Sequence, residues 1–181
     1  IFAGADLNGC AAGGCYGVNV YLINNYSTGN VTGKGGVGGL FGAIWSPWSN
    51  TSLANSFSTG NVTTNDASSY VGGLVGINQV PISNSYSTGN VTGPLGATLG
   101  GLIGQNYSSL SYSYSTGLVT GGSTIGSLVG KNDTGGTVAY SYALDQLGLI
   151  GSGSSASNSS SFSLSAFKVG SNFSSMSSNY W

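Results

Sequence analysis

Asn84-Ser85-Tyr86-Ser87-Thr88-Gly89-Asn90-Val91-Thr92-Gly93 is the stretch that decides the fold, because it recurs along the chain almost unchanged. Close copies lie at 24–33 and 55–64, and looser copies lie at 112–121 and 140–144. The aromatic position of the copies falls at Tyr26, Phe57, Tyr86, Tyr114 and Tyr142, with successive spacings of 31, 29, 28 and 28 residues. Self-similarity at a period of about 20 to 50 residues is typical of solenoids, propellers and arrays. The sequence therefore predicts a stack of one repeated unit.

A second landmark, a glycine pair followed by two apolar residues and another glycine, accompanies each copy. It occurs at 38–42, 72–76 and 100–104, with a serine variant at 126–130 and a first copy at 13–17 that carries Cys15 where the others carry leucine. Apolar residues otherwise come in short runs bounded by Gly, Asn, Ser or Pro, and no helical periodicity is found before residue 145. Such runs, rich in Val, Ile, Tyr and Thr, predict short strands joined by sharp corners.

Three strands are predicted per unit, one near the glycine landmark, one near Ile82 to Tyr86 and one near Asn-Val-Thr. They give an all-β fold, a three-sided parallel β-helix or β-solenoid of about five coils of roughly 28 residues. Identical residues then lie above one another about 4.8 Å apart and form columns along the axis. We expect three columns to fill the interior: the aromatic residues, the leucines Leu40, Leu74, Leu102 and Leu128, and the valines Val31, Val62, Val91 and Val119. Asn24, Asn55 and Asn84 are predicted to form an inward amide ladder, and which of Leu74 and Val75 faces inward stays open.

Charged residues are scarce, and their identities exclude many kinds of chemistry. The chain contains Lys34, Lys131, Lys168, Asp6, Asp66, Asp133 and Asp145, and it has no His, Arg or Glu. Histidine-dependent nucleophiles, histidine zinc sites, arginine clamps and paired glutamates are therefore excluded. We expect no enzymatic activity, no cofactor and no metal, and we interpret Lys131 and Asp133 as parts of a solvated turn. A net charge of −1 without a basic stripe argues against nucleic acid as a partner.

Cys10 and Cys15 are the only cysteines. A short-loop disulfide is the favoured interpretation, with two free thiols or a metal site as alternatives, and a disulfide would place the protein outside the cytosol. No apolar run approaches the length that spans a membrane. Asn-x-Ser/Thr triplets offer candidate glycosylation sites, although Ser and Thr are frequent enough to produce several by chance. They begin at Asn25, Asn30, Asn50, Asn61, Asn90, Asn106, Asn132, Asn158 and Asn172.

The two ends of the repeat block suggest a division of the chain. Residues 1–150 are predicted to be the repeat solenoid, and residues 151–181 a Ser/Gly-rich segment followed by an irregular C-terminal cap. A flexible linker is the alternative for the Ser/Gly-rich part.

Two further features of the sequence suggest binding functions. Trp45 and Trp48 flank Pro47 in an insertion, and exposed aromatic loops on a rigid solenoid can bind carbohydrate, although both side chains could instead cover the side of the stack. The column Thr32, Thr63, Thr92 and Thr120 raises ice binding, which the sequence disfavours because a second threonine in the same strand is mostly missing.

The segment from Gly72 to Val91, with its glycine pair, apolar pair, aromatic and Ser-Thr-Gly in order, resembles the GLUG repeat, and the resemblance covers residues 13–144. GLUG repeats are found in filamentous-haemagglutinin-type adhesins secreted by the two-partner route and in some cell-wall-attached bacterial immunoglobulin A proteases. The resemblance implies a right-handed parallel β-helix on a cell surface. No protease zinc motif and no recognisable secretion domain is present, so a stalk or fibre role is what the resemblance implies, without functional residues.

These observations predict a non-enzymatic extracellular structural protein, a stalk or adhesin module or a fibre subunit on a microbial surface. We expect end-to-end self-association, because a chain of low charge has little to repel a second copy and a solenoid leaves strand edges open at its ends. Host or surface glycans are the other candidate partners. The alternative function is a carbohydrate- or surface-binding module that uses the Trp45 and Trp48 insertion.

Overall fold

The computed structural model describes residues 19–45, 50–144 and 147–162, and these residues form short β-strands without a helix. The first coil contains β1 (Asn19–Ile23), β2 (Tyr26–Ser27), β3 (Val31–Gly33), β4 (Gly36–Gly38) and β5 (Phe41–Ile44). The second contains β6 (Asn50–Ala54), β7 (Phe57–Ser58), β8 (Val62–Thr64), β9 (Tyr70–Gly72) and β10 (Val75–Asn78). The third contains β11 (Ile82–Ser83), β12 (Tyr86–Ser87), β13 (Val91–Gly93), β14 (Thr98–Gly100) and β15 (Ile103–Asn106).

The fourth coil contains β16 (Ser109–Ser111), β17 (Tyr114–Ser115), β18 (Val119–Gly121), β19 (Thr124–Gly126) and β20 (Val129–Asn132). A partial coil follows with β21 (Thr137–Ala139), β22 (Tyr142–Leu144) and β23 (Ile150–Gly153). The last described strand, β24 (Ser160–Phe162), pairs with β22 one turn later. The domain boundary predicted after residue 150 falls within β23, so strand pairing continues beyond it. The repeat landmark predicted at 13–17 lies outside the described residues.

Each complete coil contributes one strand to each of five parallel sheets, which we call sheets A to E in the order in which the chain enters them. Sheet A is β1-β6-β11-β16-β21, sheet B is β2-β7-β12-β17-β22-β24, and sheet E is β5-β10-β15-β20-β23. Sheets C (β3, β8, β13, β18) and D (β4, β9, β14, β19) have four strands. The predicted β-solenoid is confirmed, with four complete coils and a partial fifth among the described residues.

The coil has five short strands where the sequence predicted three. The strand expected at Ile82 to Tyr86 is divided in two by Asn84, which has a left-handed backbone with φ of 48°. Asn24 and Asn55 have φ values of 60° and 51° at the same corner. Asparagine tolerates this conformation better than most residues. These three residues turn the chain from sheet A into sheet B. The predicted inward amide ladder is wrong, because Asn24 is exposed, Asn84 is half-buried, and Asn55 Oδ1 has no hydrogen-bond partner.

Two hydrophobic clusters fill the interior. The larger lies between sheets A and E and contains the leucine column, of which Leu74, Leu102 and Leu128 are fully buried. Val75 is also fully buried in this cluster, so both members of the apolar pair lie inside. The smaller cluster lies between sheets C and D and contains the valine column, in which Val31 of the first coil is only half-buried. The leucine and valine columns thus confirm two of the three predicted interior columns.

The aromatic column is outside, contrary to the prediction. Tyr26 is 67% exposed, and Phe57, Tyr86 and Tyr114 are half-buried, while their rings stack with centroids 4.9–5.4 Å apart. Only Tyr142, the last member of the column, is buried, at 7% exposure. The next residue on each strand points inward instead: Ser58, Ser87 and Ser115 are buried.

The reason is the close approach of the glycine pair from the opposite side of the coil. A Cβ atom added to Gly73 would lie 2.1 Å from Ser87 Oγ and 2.2 Å from the carbonyl oxygen of Gly101. The coil is narrow here, between its two apolar clusters, and has no room for a ring. We call this Gly–Ser contact the waist of the coil.

Two polar ladders run inside the coil. Ser56, Ser85, Ser113, Ser141 and Ser159 follow the left-handed corner residue of their coils, and each hydroxyl donates to the carbonyl oxygen two residues earlier. Each also accepts the backbone N–H of its counterpart in the preceding coil, as Ser85 Oγ does from Ser56 N at 3.2 Å. The second ladder consists of Asn78, Asn106 and Asn132, whose amides are linked by Nδ2 to Oδ1 bonds of 2.8 Å. These bonds fix neighbouring coils in register from the inside.

Candidate functional surface

Several residues predicted from the sequence fall outside the described parts of the chain. These are Cys10, Cys15, Trp48 and Asn172, so the disulfide and the second tryptophan remain predictions. Trp45 is described: it follows β5 directly, and 45% of it is exposed to solvent. An aromatic side chain is therefore presented at the predicted insertion.

The candidate glycosylation sites divide by burial. Asn30, Asn50, Asn61, Asn90 and Asn158 are exposed, and Asn25 is half-buried with its Nδ2 atom shielded from solvent. Asn106 and Asn132 belong to the inner amide ladder, and Asn106 Nδ2 donates to Asn132 Oδ1 and to the carbonyl oxygen of Ser108. A glycan on either of these two amides would require the ladder to open, so their burial argues for a structural role instead.

The charged pair on the outside of sheet E lies in a small polar cluster. Lys131 Nζ is 2.8 Å from Asp133 Oδ2, and Gln105 Nε2 donates to the same oxygen at 2.8 Å and to the Tyr107 hydroxyl at 2.6 Å. The turn predicted for Lys131 and Asp133 begins only at Asp133, where Gly136 N donates to Asp133 O at 2.9 Å. Lys131 lies within β20, so the prediction is confirmed for Asp133 and wrong for Lys131. The cluster joins the third coil to the fourth.

These contacts set the protonation of the cluster. The hydrogen bond from Lys131, followed by that from Gln105, lowers the pKa of Asp133, and the bond to Asp133 raises the pKa of Lys131. Burial, followed by the charge of Asp133, raises the pKa of Tyr107. Since the carboxylate oxygen already receives two donors, it is poorly placed to remove a proton from a substrate. The geometry fits a stabilising ion pair.

The other charges that the structure describes are Lys34 and Asp66, which lie in the turns between sheets C and D. Asp66 Oδ1 accepts the backbone N–H of Ser68 at 3.0 Å, and this bond is the main cause of its lowered pKa. Within the described ranges, no three His, Cys, Asp or Glu side chains come together as a metal site would require. The same residues include no helix of the length and apolarity needed to cross a membrane.

Three columns of uncharged side chains, polar except for the exposed Leu118, cover the outside of the coil from the end of sheet B through sheet C. We call them the Thr–Asn–Thr face, and in the third coil they are Thr88, Asn90 and Thr92, all exposed. The full columns are Thr28, Thr59, Thr88 and Thr116; Asn30, Asn61, Asn90 and Leu118; and Thr32, Thr63, Thr92 and Thr120. Sequence reasoning identified the last column and missed the first. The recurring Thr-Gly-Asn-Val-Thr was the available signal, since its alternate residues face one side.

Residues 67–92 match the family model described as the GLUG motif. The chain carries the GLUG motif. The match begins in the turn before β9 and ends in β13, so one GLUG motif supplies one coil's worth of strands, including the waist residues Gly73 and Ser87 and the buried Leu74. No curated protein and no solved structure matches the chain.

Proposed function

We propose that this chain is a non-enzymatic structural protein of the extracellular space, a solenoid stalk or adhesin module or a fibre subunit on a microbial surface. The observation that carries the proposal is that all strand pairing among the described residues is parallel and runs along one axis. The hydrogen bonds of the sheets therefore join each coil to the next along the axis, as a rod or stalk requires. The GLUG motif and the internally satisfied charge pair of Lys131 and Asp133 support the same function.

End-to-end association is part of this proposal. At the first described coil, Leu22 continues the interior column of Leu53 and Ile82, but it is half-buried where Leu53 is fully buried. A second copy stacked on this coil would complete the burial of the column and would pair the backbone of β1. Such a head-to-tail contact does not close on itself, so it propagates into a filament.

The test uses two neighbouring residues of β1. Leu22→Lys places a charge at the first described member of the interior column, whereas Tyr21→Lys changes an outward side chain that is 63% exposed. Sedimentation and electron microscopy of the full chain should show filaments for the parent and for Tyr21→Lys, and shorter species for Leu22→Lys. A parent that remains monomeric at high concentration would refute the fibre-subunit form and leave the stalk or adhesin module.

A second candidate function is binding of a carbohydrate or a surface through the tryptophan insertion, and the exposure of Trp45 favours it. A sugar that stacks on this ring should quench and shift tryptophan fluorescence. Titration with neutral and acidic oligosaccharides should therefore show saturable changes that Trp45→Ala abolishes. Unchanged binding in Trp45→Ala would exclude this residue as the site.

A further inference from the structure

We propose that the Thr–Asn–Thr face binds ice. This inference does not rest on the fibre or stalk function, because it concerns the side of the solenoid and not its ends. Three properties of the face carry it: a regular lattice of groups, side chains held in place by hydrogen bonds, and the absence of charge.

The lattice follows from the strand pairing. Thr92 pairs in register with Thr63 and Thr120, and Thr63 pairs with Thr32, so the column continues over four coils. Neighbouring parallel strands lie about 4.8 Å apart, so the groups of each column repeat at this spacing. This spacing is close to the repeat between equivalent oxygen atoms along one axis of hexagonal ice. The face thus offers hydroxyl groups and methyl groups at a repeat that an ice surface also has.

Hydrogen bonds along the columns hold the side chains in position. Asn30 Oδ1 accepts the backbone N–H of Asn61 at 2.9 Å, and Asn61 Oδ1 accepts that of Asn90 at the same distance. Asn90 Oδ1 accepts the N–H of Leu118, also at 2.9 Å. The hydroxyl oxygens of Thr92 and Thr120 are 3.1 Å apart. Because these groups are already ordered, binding a rigid lattice costs little further side-chain entropy.

None of the charged residues that the structure describes belongs to the three columns, although the exposed Lys34 lies two residues after Thr32. Lys34 and Asp66 lie in the turns that follow sheet C, and Lys131 and Asp133 lie on sheet E and in the turn after it. Ice is an uncharged lattice of hydrogen-bond donors and acceptors, so an uncharged polar face complements it. β13 contains one outward threonine, Thr92. Asn90, which directly precedes β13, provides the next outward polar group, and its amide is held by a hydrogen bond. Thr88 adds a second threonine before Asn90.

Glycosylation and ice binding exclude one another on this surface. Asn30, Asn61 and Asn90 are the first residues of Asn-Val-Thr triplets, so a glycan on Asn61 would cover Thr63. The ice test therefore uses the full chain produced without glycans.

The experiment compares bulky substitutions on and off the face. The parent should shape ice crystals, produce thermal hysteresis and partition into a slowly growing ice front. Thr92→Tyr and Thr63→Tyr should reduce all three to the level of buffer. Thr137→Tyr, at an exposed position of β21 in sheet A, should behave as the parent does. Circular dichroism and thermal melting establish that each variant is folded, and either face variant alone suffices for the comparison.

Three outcomes would overturn the proposal. The first is a folded parent that does not shape ice. The second is a folded Thr92→Tyr or Thr63→Tyr variant that retains the parent's activity. The third is an equal loss in Thr137→Tyr, because an effect that does not depend on the face would not be ice recognition by it.

Discussion

Two serines that are two residues apart and equally buried should respond in opposite ways to the same substitution. Ser85 and Ser87 are both 0% exposed. Ser85 Oγ donates to the carbonyl oxygen of Ser83 at 2.8 Å and accepts the N–H of Ser56 at 3.2 Å. Ser87 Oγ lies at the waist and is a buried oxygen without a hydrogen-bond partner. Replacing each by alanine therefore removes two hydrogen bonds in one case and none in the other.

The magnitudes follow from these contacts. In Ser85→Ala, two hydrogen bonds worth about 1 kcal/mol each are lost, and the buried N–H of Ser56 is left without a partner at a cost of about 1 to 3 kcal/mol. The lost bond from Ser56 N–H and the cost of leaving that N–H unpaired are partly the same loss, so they do not add in full. We expect the free energy of unfolding to fall by about 2 to 4 kcal/mol. In Ser87→Ala, removal of a buried unpaired hydroxyl should leave stability unchanged or raise it by about 1 kcal/mol. Ala143 already occupies this column next to Ser115, which shows that the column accepts a methyl group.

Urea unfolding followed by far-ultraviolet circular dichroism measures both variants under one set of conditions. Equal slopes against denaturant would show that the two free energies can be compared. Ser113→Ala repeats the first test one coil later, where the hydroxyl donates to Ser111 O and accepts the N–H of Ser85. A Ser87→Ala variant that loses as much stability as Ser85→Ala would refute the reasoning, because it would mean that the waist hydroxyl is paired.

Substitutions at three other positions test the leucine column, the corner asparagine and the Lys131–Asp133 pair. Leu74→Ala should lower the free energy of unfolding by about 2 to 5 kcal/mol, since it empties a fully buried position, and a loss under about 1 kcal/mol in urea unfolding would contradict its place in the core. Asn84→Ala should cost about 1 kcal/mol in the same assay because alanine is strained at φ of 48°, whereas Asn84→Gly should be tolerated. The stabilising effect of the Lys131–Asp133 pair should be complete above the ordinary carboxyl pKa of 3.8 and should be lost as pH falls through the lower pKa of folded Asp133. Asp133→Asn should remove this part of the acid dependence of stability, and an unchanged pH profile would exclude the pair as its source.

The register of the solenoid could be predicted from the sequence to the residue. Tyr86 pairs with Phe57 and Tyr114, as the spacing of the aromatic positions requires. A stack of parallel coils pairs each residue with its equivalent in the next coil, and this register does not depend on whether the side chain faces inward or outward. The prediction of stacked leucine and valine columns succeeded for the same reason.

The direction in which the aromatic column faces could not be obtained from hydrophobicity. A tyrosine in a repeat is a natural candidate for the core, but the space inside depends on how closely the opposite backbone approaches. The glycine pair 13 residues upstream, Gly73 for Tyr86, carried that information, since glycine permits an approach that any Cβ would block.

The inner asparagine ladder and the outward column that contains Thr28 were missed for a related reason. Asn78 follows a glycine landmark and precedes a turn, where asparagine is usually interpreted as a turn residue. Its burial becomes visible only once Asn106 and Asn132 are placed above it and their amides can bond. On the outside, Thr28 and its equivalents lie next to a bend at glycine, which hid their alignment with the Asn-Val-Thr strand.

The waist explains an exchange of residues at the end of the repeat. Through three coils a glycine faces a serine, as Gly101 faces Ser115, with an added Cβ only 2.2 Å from the hydroxyl oxygen. One coil later the glycine position is Ser127 and the serine position is Ala143, so the side that gains an Oγ faces a side that has lost one. The new hydroxyl donates to the carbonyl oxygen of Gly148 at 3.2 Å, where the chain leaves the regular coil. The glycine position and the serine position thus change together, and their combined side-chain volume stays small. A close contact between opposite backbones requires such small side chains. The glycines of the GLUG motif therefore allow the two sides of the coil to come into contact. The large apolar residues fill the two spaces that this contact leaves on either side.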